Sequence, residues 1–215
     1  MSGMAEHLRH AIAVNRHRSA RYAVATDGRS APLSAQLIGL ERATLPIAMV
    51  LDRRAQPFNR RGIDVVVGDF VPMHPLPPWD QAPRWTGVST APARRDLRRT
   101  LRALARDGRG MARDGRWMDL ANHVAECLAD LHTLEHEQAA HFAMTAHLLE
   151  SIGFAARNAD RTTRADPDVQ PLARDLMRVQ LVGLRVAIAL DLQAQHLHTL
   201  NVGILVNDVP AIPFP

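Results

Sequence analysis

Seven of the eleven histidines fall after Trp117, at His123, His132, His136, His141, His147, His196 and His198, interleaved with Glu126, Asp130, Glu135, Glu137 and Asp191. Imidazole and carboxylate together are the usual ligands for zinc, iron and manganese, and helical bundles build such sites from side chains on facing helices. Spacing removes the two best-known versions. His136-Glu137-Gln138-Ala139-Ala140-His141 has the residue types of the HExxH metalloprotease pattern. Its two histidines are one residue too far apart, so at about 100° per residue their rings diverge by about 140°, where metal binding needs an i, i+4 pair. A carboxylate-bridged di-iron bundle needs Glu-x-x-His on two helices, and no Glu-x-x-His occurs. Two i, i+4 pairs remain, His132 with His136 and Glu137 with His141, to be completed by His196 or His198, and by Asp191, from a second helix. A transition metal is therefore the one cofactor the pattern allows. The competing reading places these histidines on solvated or half-buried helix flanks, bonded to nearby carboxylates and carbonyls and titrating between about pH 5 and 8.

The second constellation is basic. Arg95, Arg98, Arg102, Arg106 and Arg109 advance in steps of three and four, which on a helix makes one stripe of guanidinium groups able to track phosphates. Arg84, Arg94 and Arg99 extend it. All 26 basic residues are arginine and none is lysine, so a coding bias toward arginine discounts its bare abundance. Distribution says more. Up to Arg116 there are 20 Arg against 10 Asp and Glu, and from Trp117 onward 6 against 12, so a basic half precedes an acidic one. The stripe is either a dock for an acidic partner, nucleic acid first and an acidic protein second, or a solvated face turned toward the acidic half of the same chain. No RNP-like, zinc-finger or GXXG signature accompanies it.

Other chemistries find no residues to carry them. There is no P-loop, GxGxxG, GxSxG or Cys-His signature, which points away from an enzyme. The single cysteine, Cys127, sits in an apolar helical pattern and reads as a buried side chain in a reducing compartment. The N-terminal stretch has no apolar core of signal-peptide length and no 18-residue apolar run follows, so a cytoplasmic protein with no membrane partner is expected.

The elements that must position these groups are mainly helical. Apolar residues make up 47% of the 215 and aromatics 4%, a palette of Leu, Ala, Val, Ile and Met that suits helix packing. The expected fold is a single-domain, mainly α helical bundle with a long antiparallel helical hairpin in its C-terminal half and at most a small two-stranded β element near the N-terminus. Residues 1–70 combine a short helix from Met4 to Asn15, strands at Tyr22–Thr26 and Ile63–Val67, and a helix opening near Ser30 that Pro46 should kink or split. Residues 71–92 hold six of the fourteen prolines with Trp79 and Trp85 and read as an extended connector. Residues 93–200 form the helical core and 201–215 a tail. Within the core, an arginine-bearing helix begins near Thr90 and ends in the repeat Ala105-Arg106-Asp107-Gly108-Arg109 and Ala112-Arg113-Asp114-Gly115-Arg116, whose two Asp-Gly pairs suggest turns. Apolar residues from Trp117 to Ile152 predict one long helix closed by Gly153, then a polar loop, then a second long helix from Pro171 to Leu200. The sum is a small arginine-rich helical binding protein for an acidic partner within a larger assembly, with a helix-bundle metalloprotein as the alternative.

Overall fold

The computed structural model describes residues 31–63, 91–134 and 142–198, together with positions 5, 6, 8, 9, 12, 13 and 16 of an N-terminal segment; some helical side chains, including that of Arg94 and those after residue 193, are not described. The fold is a helical bundle. Among the described residues the helices with defined bounds are α1 (Ala31–Arg60), α2 (Ala91–Arg113), α3 (Trp117–His132), α4 (Ala143–Ala165) and α5 (Gln170–His198), with a 3-10 turn at Pro167–Val169 joining the last two. No strand occurs among the described residues. The expected strand at Tyr22–Thr26, most of the one at Ile63–Val67, the tail, and the connector up to Thr90 lie outside them.

α1 runs unbroken through Pro46 and Pro57, so Pro46 does not split it. Pro46 and its neighbours Arg42 and Ile47 are exposed, so water can meet the carbonyl that Pro46 leaves without a donor. The helix stops at a glycine. Gly62 has φ of 76°, its N–H donates to the Asn59 carbonyl at 3.1 Å, and the Ile63 N–H donates to the Phe58 carbonyl at 3.1 Å, the paired bonds of a Schellman end. Ile63 and Phe58 then pack on a core of Ala48, Leu51 and Ala55 from α1 with Val169, Leu172 and Leu176. The N-terminal segment joins it: Ala5 is buried there and its N–H donates to Asp52 Oδ2 at 2.9 Å.

The larger core gathers Leu97, Leu101 and Leu104 of α2, Leu120, Val124 and Cys127 of α3, Leu149, Ile152 and Ala156 of α4, and Met177, Leu181, Leu184 and Ile188 of α5. α5 thus serves both cores. The duplicated pentapeptide takes two different roles. Asp114-Gly115 is the turn that was expected: Gly115 has φ of 72°, and bonds from Gly115 to the Ala112 carbonyl and from Arg116 to the Met111 carbonyl repeat the Schellman pattern. Asp107-Gly108 is instead inside α2, with Gly108 buried and Asp107 exposed. A Cβ on Gly115 would lie 2.8 Å from Gln170 Nε2 in addition to requiring a left-handed backbone. Gly115→Ala is therefore expected to cost about 1–2 kcal/mol in chemical denaturation.

The expected helix from Trp117 to Ile152 is two helices. α3 ends at His132, where Thr133 Oγ1 donates to the Asp130 carbonyl at 2.7 Å and the Leu134 N–H donates to the Leu131 carbonyl at 3.2 Å. α4 then packs back against α3, and Gly153 is the point of approach: a Cβ there would be 3.2 Å from Val124 Cγ1. Gly153 is consequently a contact glycine inside a helix and does not close one. The stretch expected as a polar loop is helical to Ala165, since its apolar positions Ala155, Ala156 and Ala159 face the core. Thr162 and Thr163 turn their hydroxyls onto the carbonyls of Asn158 and Ala159, at 2.9 and 2.6 Å. Asp166 breaks the chain direction, accepting from the Asp168 N–H at 3.0 Å ahead of Pro167 and pairing with Arg61 at 3.0 Å. The C-terminal hairpin is therefore α4 with α5, joined through the short turn at Pro167–Val169.

Candidate anion-binding groove

α2 buries Leu97, Leu101, Leu104, Ala105 and Ala112 and leaves Arg95, Arg99, Arg102, Arg106 and Arg109 exposed, with Arg98 between the two faces. That division follows from amphipathic spacing: apolar positions at steps of three and four face the core and arginines take the rest. Pro92 sits in the first turn, where its missing donor costs nothing. The backbone places Arg94 in the same first turn, and Arg84 lies outside the described residues.

Two opposed helices bring these arginines to a groove. Gly108 removes the side chain at the crossing, so a Cβ there would stand 3.1 Å from both Leu120 Cδ1 and Leu181 Cδ2. From that crossing α2 toward its N-terminus and α5 toward its C-terminus run side by side. Between them lies a cavity of about 420 Å³ lined by Arg102, Arg106 and Arg109 of α2 and Arg185, Ile188, Ala189 and Leu192 of α5. The wall is therefore aliphatic and the rim carries four guanidinium groups.

The charge on that rim is largely uncompensated. Arg106 Nε donates to Asp107 Oδ1 at 2.8 Å and its second nitrogen donates to Oδ2 at 3.2 Å. That bond raises the Arg106 pKa and lowers the Asp107 pKa from their ordinary values. Arg102, Arg109 and Arg185 make no hydrogen bond or ion pair among the described residues. Some exposed arginines elsewhere are neutralised locally: Arg113 pairs with Asp114 at 3.1 Å, Arg116 with Asp119 at 3.5 Å, Arg164 with Asp160 at 2.9 Å, and Arg54 with Asp175. Arg185, Ile188, Ala189 and Leu192 were not singled out by sequence reasoning. Their signal was present, because Arg185 is one isolated charge in the apolar run Leu181–Leu190, at the spacing that puts it on one face with Ala189 and Leu192.

The histidine and carboxylate candidates do not form a comparable site among the described residues. His132 is the exposed last residue of α3, so the continuous helix that would set His136 one turn beyond it on the same face is not there. His136, Glu137 and His141 lie outside the described residues. His196 and His198 belong to the last turn of α5, where the backbone alone is described. Among the described residues no three His, Cys, Asp or Glu side chains are grouped to hold a metal ion.

Asp191 has a structural task. It is 2% exposed on α5 and its Oδ2 accepts from the Thr145 N–H at 2.8 Å and from Thr145 Oγ1 at 2.6 Å. Phe142, at the N-cap of α4, provides no side-chain acceptor, so Asp191 caps α4 from the neighbouring helix. Burial pushes its carboxyl up to about 7 against the opposing pull of those hydrogen bonds. Cys127 is likewise a core group: it is fully buried, and burial with Asp130 and Glu126 nearby pushes its thiol up to about 12, which leaves it a poor nucleophile.

No family model, curated protein or solved structure matches the chain. No helix among the described residues is long and apolar enough to cross a membrane.

Proposed function

We propose that this protein binds an acidic partner, nucleic acid first, through the arginine face of α2. The observation that carries the reading is the row Arg95, Arg99, Arg102 and Arg109, all exposed and all without an intramolecular acceptor among the described residues, on a helix whose opposite face is fixed in the core. Such a row neutralises successive phosphates and releases their counterions, a contribution independent of base sequence. Rigidity adds to it, because a helix docked through Leu97, Leu101 and Leu104 pays no folding cost when it engages a partner. Exposed Ile47, Met49 and Val50 on α1 support the further reading that the chain works within a larger assembly.

The test is a salt titration of binding to a generic DNA duplex and a single strand. Affinity should fall steeply with salt, and Arg95→Glu/Arg99→Glu should flatten the log–log slope by about 1.8 units on the duplex, two phosphate contacts' worth. Both positions are exposed, so stability should change little. Lack of binding at low salt, or an unchanged slope in the double variant, refutes the reading.

A further inference from the structure

The groove between α2 and α5 has features that a phosphate-tracking surface does not require. Its wall is aliphatic, from Ile188, Ala189 and Leu192, and among the described residues no aromatic ring or carboxylate lines it. A nucleobase would want an aromatic stacking partner, and an extended phosphate backbone would have no use for an apolar floor. The volume of about 420 Å³ falls within the range of small-molecule sites, roughly 300–1,000 Å³. Around the rim stand Arg102, Arg109 and Arg185 without acceptors among the described residues, and Arg106 with Asp107. Guanidinium forks from two helices aimed at one opening suit a compact head with several acceptor oxygens.

We propose that this groove binds a small amphiphilic anion, an aliphatic chain bearing a phosphate head, with the chain on Ile188, Ala189 and Leu192 and the phosphate held by Arg102, Arg109 and Arg185. The site shares Arg102 and Arg109 with the nucleic-acid row but takes in neither Arg95 nor Arg99, so a change at those two positions separates the readings. The same head and chain occur in a free alkyl or acyl phosphate and in a phospholipid at a membrane surface. A free ligand can enter the groove whole, whereas a lipid offers its head at a surface.

Calorimetry on the full chain with octyl phosphate, octanol and inorganic phosphate tests the proposal. Octyl phosphate should bind saturably at one site, with octanol and inorganic phosphate each weaker by about tenfold or more, because each lacks one half of the recognition. Arg109→Gln/Arg185→Gln should weaken octyl phosphate by about tenfold or more, and Ala189→Trp should block it by filling an exposed wall position without entering the core. Circular dichroism checks that both variants keep the wild-type fold, and Arg95→Glu/Arg99→Glu should leave octyl phosphate binding in place. Co-sedimentation with phosphatidic acid vesicles separates the sources: association lost in both groove variants assigns a lipid head, and octyl phosphate binding without vesicle association assigns a free ligand. Octyl phosphate binding no tighter than inorganic phosphate, or undiminished in either groove variant, overturns the proposal.

Discussion

Gly108→Leu is expected to lower the unfolding free energy by about 3 kcal/mol, near the upper end of what overpacking a core costs. The position is buried, and a Cβ alone would stand 3.1 Å from Leu120 Cδ1 and Leu181 Cδ2 and 3.4 Å from Leu181 Cδ1. Leu181 and Leu120 are themselves fully buried, so neither can swing aside without displacing α3 or α5. Leucine has better helix propensity than glycine by somewhat under about 1 kcal/mol, so any net loss reports the crowding and not the backbone. Gly108→Ala separates the two effects. Its single methyl asks Leu120 and Leu181 to give by only a few tenths of an ångström, and its gain in propensity should nearly offset that contact. Urea unfolding should show the midpoint falling for leucine with the m-value kept. A leucine variant as stable as the wild type would mean that α2 does not cross α5 at this glycine. Because the same crossing sets the two walls of the arginine groove, octyl phosphate binding should fall along with stability.

The second large effect concerns Asp191. Asp191→Ala is expected to cost about 3 kcal/mol, because it leaves the Thr145 N–H and hydroxyl buried without their acceptor. It also strips α4 of its one cap, since Phe142 provides none. Asp191→Asn retains an oxygen for Thr145 and cannot ionise, so it isolates the charge. The folded-state pKa is pushed from the ordinary value of 3.8 up to about 7 by burial. In that interval the native state holds a proton that the unfolded chain has released. The stabilisation is therefore complete below about pH 4, and it drains away as pH rises through about 7, with a slope approaching about 1.4 kcal/mol per pH unit. The difference in stability between wild type and Asp191→Asn should shift in favour of the asparagine variant across this window and level off above it. A difference independent of pH between 4 and 8 would place an ionised carboxylate in the native site throughout.

Both effects arise at residues whose sequence neighbourhood suggested something else. Gly108 follows an aspartate, as Gly115 does, and the two pentapeptides are the same. Their difference is that Ala112, Gly115 and Arg116 end a helix whereas Gly108 is carried into a helix crossing, which depends on what lies on the far side. Asp191 lay among candidate metal ligands because an acidic group in a histidine-rich half suggests coordination. Its partner is Thr145, 46 positions away, and no local pattern announces a cap supplied from another helix.

The break after His132 was equally hidden. No proline or glycine interrupts Trp117–Ile152, and the apolar period continues through it. The period of a helix and that of two helices folded back on one core are the same, provided both bury apolar faces. Punctuation by Thr133, whose hydroxyl bonds a carbonyl of the preceding turn, is a weak signal that many unbroken helices share.

What the sequence by itself determined is the helical class, the amphipathic division of α2, the inert cysteine and the hairpin at the C-terminal end, all of which rest on periodicity and composition acting locally. Tertiary structure decided where the helices stop, which glycine turns the chain and which admits a neighbour, and that Arg185 of the acidic half joins Arg102, Arg106 and Arg109 of the basic half around one groove. The physical reason is range. Helix formation answers to side chains three and four residues apart, whereas a groove is set by the approach of two helices more than 70 residues apart in the chain, and that approach is governed by the bare backbone of Gly108 against Leu181.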